Sequence, residues 1–136
     1  MKKTHEGSCH CGRVKFTVEL DASAPSGRCN CTVCTKTSMT TQIVKPNDFK
    51  LLAGEADLST YEWGAKIGKR FFCKHCGVSC FGSGHLKEVG GDYVSVNMLC
   101  LDAIDPATLT LQYWDGRHNG WDKGPRDRAW PIFEMA

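Results

Sequence analysis

Residues 29–34 read CNCTVC, so Cys29, Cys31 and Cys34 place three thiols within six residues. Two further groups accompany them, Cys9-His-Cys11-Gly12 and Cys73-Lys-His-Cys76-Gly77, each a doublet followed by glycine. Closely spaced cysteines of this kind read as metal ligands rather than as a disulfide framework. The total of nine cysteines is odd, and no export signal precedes them. Cys9 and Cys11, like Cys29 and Cys31, are so close along the chain that a bridge between them would be strained. The two doublets together supply four sulfurs, a closed tetrahedral site of the structural kind. In such loops backbone N–H groups point at the thiolates, and glycine takes the positive φ that the exit requires. That pairing leaves the triplet with three ligands and an open fourth position, as in catalytic zinc sites. Two alternatives stay open. Cys80, Cys100 or one of the five histidines closes the second site, or the triplet borrows a ligand from a doublet. Otherwise Cys80 and Cys100 read as buried apolar thiols. An all-thiolate set favours zinc, soft and redox-silent, with iron in a four-sulfur site as runner-up.

Three thiolates make a bound Zn²⁺ electron-rich, so it polarises water weakly but holds an incoming thiol as thiolate. A thiolate so placed is a nucleophile for an electrophilic carbon such as an aldehyde. Arg28 and Lys36 flank the triplet, either offsetting its negative charge or standing as solvated surface cations. His10 and His75 lie inside the cysteine loops as exposed spacers or as hydrogen-bond donors behind the ligands. His5 reads as a surface residue. Outside the cysteines, Trp114, Asp115, Arg117, His118 and Trp121 form the most chemically mixed cluster. Two readings of it compete: part of this tail lines the open metal position, with Arg117 pairing a substrate carboxylate, or the tail packs its tryptophans on a sheet and covers an edge.

The elements that must position these residues are short and extended. RVKFTVEL (Arg13 to Leu20) alternates, with Val14, Phe16, Val18 and Leu20 on one face, and predicts a half-buried strand. SMTTQIVK (Ser38 to Lys45) alternates weakly. Pro46-Asn-Asp turns the chain into FKLLA, and Gly54-Glu55 separates that run from ADLSTYEW, which predicts a hairpin. GKRFFC enters the Cys73–Cys76 loop and VSCFG leaves it; Asp92 to Leu99 is a further strand. Pro106-Ala-Thr-Leu predicts a short helical turn before LTLQYW. The end, DGRHNGWDKGPRDRAWPIF, predicts an extended segment lying on the body. No stretch shows helical periodicity over three turns, so the expected class is all-β. The 136 residues suit one domain, 1–136, with a modest core. A net charge of +2 without a basic stripe argues against nucleic acid or anionic lipid as partner. The absence of a long apolar run argues against a membrane span, so the expected location is the cytoplasm.

The segments GSCHCGRVKF, CNCTVCTKTS, KRFFCKHCGVSCFG and VNMLCLD stand in the order and spacing of a known family. Over nearly its whole length the chain resembles the glutathione-dependent formaldehyde-activating enzymes, a family that also includes centromere protein V. The ending YWDGRHNGWDKGPRDRAWPIF is similar to that of one bacterial branch. The resemblance implies a β-tent fold of short antiparallel sheets with two zinc ions per chain. Cys9, Cys11, Cys73 and Cys76 match the structural zinc site, and Cys29, Cys31 and Cys34 the catalytic one. It implies a carbon–sulfur lyase that joins a thiol, glutathione, to a small aldehyde, formaldehyde, giving S-hydroxymethylglutathione. It also admits a non-catalytic two-zinc binding module, or a zinc enzyme of different substrate and reaction. The chain is short beside the enzyme that names the family, so loops that would hold glutathione are expected to be absent or altered. Cys100 stands where other members usually carry a small residue or threonine.

Overall fold

The computed structural model describes residues 1–64 and 68–133. β2 (Lys15–Leu20) carries the plainest alternation: Phe16, Val18 and Leu20 are buried, as is Val14 just before it, while Lys15 and Glu19 face out. Burying one face of a pleated strand fixes its register, because a one-residue slip would turn every apolar side chain into water. β2 pairs antiparallel with β1 (Lys3–Ser8) on one side and with β5 (Phe49–Ala53) on the other, forming a three-stranded sheet.

The second sheet has seven strands. β3 (Ser26–Cys29), β4 (Thr41–Val44), β6 (Leu58–Glu62), β7 (Gly68–Cys73), β8 (Ser79–Leu86), β9 (Gly91–Asn97) and β10 (Leu111–Trp114) lie in the order β10-β3-β4-β9-β8-β7-β6. All its neighbours are antiparallel except β10 and β3, which run parallel with Tyr113 opposite Arg28 and Trp114 opposite Cys29. Four phenylalanines join the sheets. Phe16 and Phe49 of the small sheet stack at 5.2 Å, Phe49 meets Phe81 of β8 at 4.6 Å, and Phe81 meets Phe71 of β7 at 5.0 Å. Aromatic contacts of this kind add about 0.5–1.5 kcal/mol each beyond the area they bury.

Several expectations are corrected. The fold is not an all-β tent of short antiparallel sheets. It is a mixed, mostly antiparallel β protein with a parallel pair and one short α-helix, α1 (Thr32–Thr37). β10 and β6 stand at the two ends of the large sheet and do not pair with each other, so the sheet stays open rather than closing into a tent or barrel. FKLLA and ADLSTYEW do not form a hairpin. β5 joins the small sheet and β6 the edge of the large one. Gly54 between them has φ +89°, and a Cβ there would lie 2.8 Å from Val14 Cα. A 3-10 turn over Glu55–Asp57 then carries the chain from one sheet to the other. The strand expected from Ser38 begins only at Thr41, because Ser38 is the left-handed cap of α1, with φ 54°. The tail is not extended throughout: it makes 3-10 turns at Gly116–His118 and Trp121–Lys123. It then returns so that Arg126 and Tyr113 exchange two backbone hydrogen bonds along β10. His5 is half-buried on β1. Among the described residues no helix is long and apolar enough to cross a membrane.

Candidate functional site

Cys9 and Cys11 follow the end of β1; Cys73 ends β7 and Cys76 lies in the turn to β8. Their four Sγ atoms lie within 4.8 Å of one another. Cys11 Sγ is 3.6 Å from both Cys9 Sγ and Cys73 Sγ. A tetrahedron of metal–sulfur bonds of about 2.3 Å has edges of about 3.8 Å, so the spacing fits a zinc-sized ion. The turns are built for it: Gly12 has φ +83° and Gly77 φ +79°, and the Val14 N–H points at Cys9 Sγ at 3.3 Å. Hydrogen bonds from the Arg13 backbone N–H and then its side chain pull the Cys11 thiol down to about 6. At Cys11 the loop therefore favours the thiolate that a metal ion requires.

The triplet is assembled by a strand end and a helix start. Cys29 ends β3, Cys31 is the N-cap of α1, and Cys34 lies in its first turns, with Cys31 and Cys34 three apart and so on one face. Their Sγ atoms also fall within 4.8 Å of one another, and no further His, Cys, Asp or Glu joins them among the described residues. Both clusters can hold a metal ion, and an all-sulfur donor set suits a soft one. Cys80 and Cys100 do not close the triplet. Both are buried in the core, where their thiols donate to the carbonyls of Val78 and Ser79.

Arg70, reaching across from β7, donates from Nη2 to Cys34 Sγ at 3.2 Å. Its guanidinium also lies 5.4 Å from the centre of the Trp63 ring. Contacts with Cys29 and Cys34 hold the Cys31 thiol well below its usual range, with Arg70 adding to the effect. Cys29 and Cys31 push the Cys34 thiol up, against a smaller lowering by Arg70, so negative charge settles on Cys31 first. Lys36, which the sequence also offers as a counter-charge, is exposed in the last turn of α1. His75 is engaged elsewhere, 2.7 Å from Asp57, and His10 is exposed.

The loop is pinned from the C-terminal side. Asp115, 3% exposed, accepts from Asn30 Nδ2 at 2.8 Å and from Lys123 Nζ at 2.7 Å, and lies 2.8 Å from His118 Nδ1. Those contacts, Lys123 first, hold its carboxyl well below the usual range. Arg117 is not among the residues that line the triplet cavity. Its backbone N–H and Nε donate to Asn30 Oδ1 and Asn30 O, both at 2.9 Å, so it clamps the loop. Gly116 lies against the cluster itself, where a Cβ would overlap Cys29 Sγ and come within 2.7 Å of Trp121. Over Cys29 and Cys34 opens a cavity of about 240 Å³, walled by Arg28, Tyr113, Trp114, Trp130 and Ile132.

The sequence profile of the glutathione-dependent formaldehyde-activating enzymes matches residues 4–116, a span that contains both sulfur clusters. The chain belongs to that family. A Halomonas elongata protein that carries the family's name is 35% identical over 81 residues, covering 52% of this chain and 50% of that protein. The chain thus spans about half the length of that relative. A crystal structure of a Rhodobacter sphaeroides protein has a TM-score of 0.66 and 28% identity, over 75% of this chain and 92% of that one. Relative to this family match, the tail from Arg117 to Phe133 lies outside, yet it supplies Trp130 and Ile132 to the cavity.

Arg70 and the pairing of Asn30 with Asp115 are the site features that spacing does not reveal. Arg70 is 36 residues from Cys34 and Asp115 is 85 from Asn30. The one signal was the chemically mixed run around Asp115.

Proposed function

We propose that this chain is a zinc enzyme of the carbon–sulfur lyase type, a single domain over 1–136, that adds a thiol to a small aldehyde. The observation that carries the reading is the unequal pair of clusters. Four cysteines make up one, whereas the other has three, of which Cys29 and Cys34 line a cavity, and no fourth described ligand completes them. Cys9, Cys11, Cys73 and Cys76 would hold a structural zinc, and Cys29, Cys31 and Cys34 a catalytic one. When bound at the triplet, zinc supplies a positive centre that keeps an incoming thiol deprotonated near neutral pH.

The chain's own groups do the rest. Arg70 offsets the negative charge gathered on the three sulfurs. Asn30, held by Asp115 and Arg117, keeps Cys29 and Cys31 in register. The aromatic walls confine the two reactants, which supports addition by proximity. In the reaction the S–H bond breaks, a sulfur–carbon bond forms, and the carbonyl π bond opens onto oxygen. The proton given up by the thiol leaves through water, and one returns to that oxygen. Glutathione and formaldehyde are the pair that the family's name suggests. Nine free cysteines suit a reducing compartment, and we place the reaction in the cytoplasm.

Metal analysis should find two zincs per chain. NMR exchange spectroscopy of a thiol and formaldehyde, with and without protein, tests the reaction against its spontaneous background. Acceleration that disappears in Cys31→Ser supports the enzyme; exchange at the uncatalysed rate with both zincs bound would leave a two-metal binding module.

A further inference from the structure

The cavity over the triplet is small and carries charge of one sign. Its volume of about 240 Å³ falls below the roughly 300–1,000 Å³ of sites that enclose drug-sized ligands. Arg28 is the one charged side chain that lines it; no acidic residue does so among the described residues. Arg28 is also held in place. Its Nε donates at 2.9 Å to Oγ1 of Thr40, which is fully buried. No described acceptor pairs with its terminal nitrogens. A braced guanidinium with a free edge, set among Tyr113, Trp114, Trp130 and Ile132, suits a single carboxylate on an apolar body. Glutathione meets these walls badly. It brings an ammonium, for which the lining has no acidic partner, and a second carboxylate, for which it has no second cation.

We infer that the thiol this site takes is a small mercaptocarboxylate, with one thiol, one carboxylate and a short apolar spacer, rather than a tripeptide. The inference rests on the thiol-adding reading and narrows its substrate. The thiol meets the cysteine triplet, the carboxylate pairs with Arg28, and the spacer lies against the aromatic wall that Trp130 and Ile132 complete. Selectivity then comes from charge count and volume. A group carrying a buried charge without a partner is rejected more strongly than a missing methylene is missed.

Calorimetric titration of the zinc-replete protein tests this with three probes: 3-mercaptopropionate, its methyl ester and glutathione. The acid is expected to bind at least about tenfold more tightly than the ester or glutathione, the scale of one charge-assisted hydrogen bond. Arg28→Met should erase the difference between acid and ester. Trp130→Ala, which opens the wall, should narrow the gap to glutathione. The acid–ester comparison needs no variant, so it stands even where Arg28→Met does not fold. Equal binding of acid and ester, tighter binding of glutathione, or no binding of any of the three would overturn the inference. Failure of the parent reading looks different: the acid binds preferentially, but no thiol exchanges with formaldehyde faster than in buffer.

Discussion

Arg70 is the residue whose removal should most directly disturb the triplet without touching a ligand. Its guanidinium sits 3.2 Å from Cys34 Sγ, and three thiolates around one divalent ion leave a net negative charge to be offset. Arg70→Met is expected to lower the metal affinity of the triplet by about 10–100-fold, the usual effect of losing a group behind the ligands. Competition with a chromophoric chelator would measure it, and the four-cysteine cluster should be unaffected. Gly116→Ala is expected to be worse than its size suggests. The added methyl overlaps Cys29 Sγ and meets Trp121 at 2.7 Å, so metal binding at the triplet should be lost while binding at the four-cysteine cluster stays. The ligands themselves divide in the same way. Cys31→Ser should release one zinc and keep the circular dichroism of the folded chain. Cys73→Ser, at a fully buried position, should cost the fold its cooperative thermal transition.

Among the elements, α1 and the returning tail decide whether the site exists. α1 is only six residues long, too short to form by itself in water; Cys31 and Cys34 hold its start through the cluster. The tail is held by Asp115, whose carboxyl lies below its ordinary value of 3.8. A depressed carboxylate contributes stability that is full above the unfolded value and is lost as pH falls through the folded one. The difference in denaturation midpoint between the parent protein and Asp115→Asn should therefore stay constant from pH 7 down to about 4 and shrink only below that. Limited proteolysis of Asp115→Ala at neutral pH should cut first within residues 116–133, because Asn30, His118 and Lys123 lose a shared partner.

At the scale of the whole molecule, the four-cysteine cluster and the phenylalanine contacts fasten the same two sheets together. Cys9 and Cys11 follow the small sheet, whereas Cys73 and Cys76 belong to the large one. A metal bound there closes a loop of more than sixty residues (Cys11 to Cys73 are 62 apart), so chelation should unfold the protein rather than merely inactivate it. Near-ultraviolet circular dichroism during titration with a strong chelator would follow that loss. Phe16→Ala, removing the fully buried ring that stacks on Phe49, is expected to cost about 3–5 kcal/mol in denaturant unfolding.

What could be read from the chain alone was whatever has a local signature. The alternation of Val14, Phe16, Val18 and Leu20 identified a buried strand face, because pleating gives side chains a period of two. The spacing of the cysteines sorted them into doublets and a triplet, because chelation by neighbouring residues is a short-range constraint. Only the tertiary structure decided where distant pieces meet: β10 beside β3 in parallel, β5 and β6 in different sheets, Arg70 at Cys34, Asp115 at Asn30. Such pairings are settled by which apolar faces can be buried together and which buried polar groups must find partners, and neither requirement leaves a periodic mark on the residues involved.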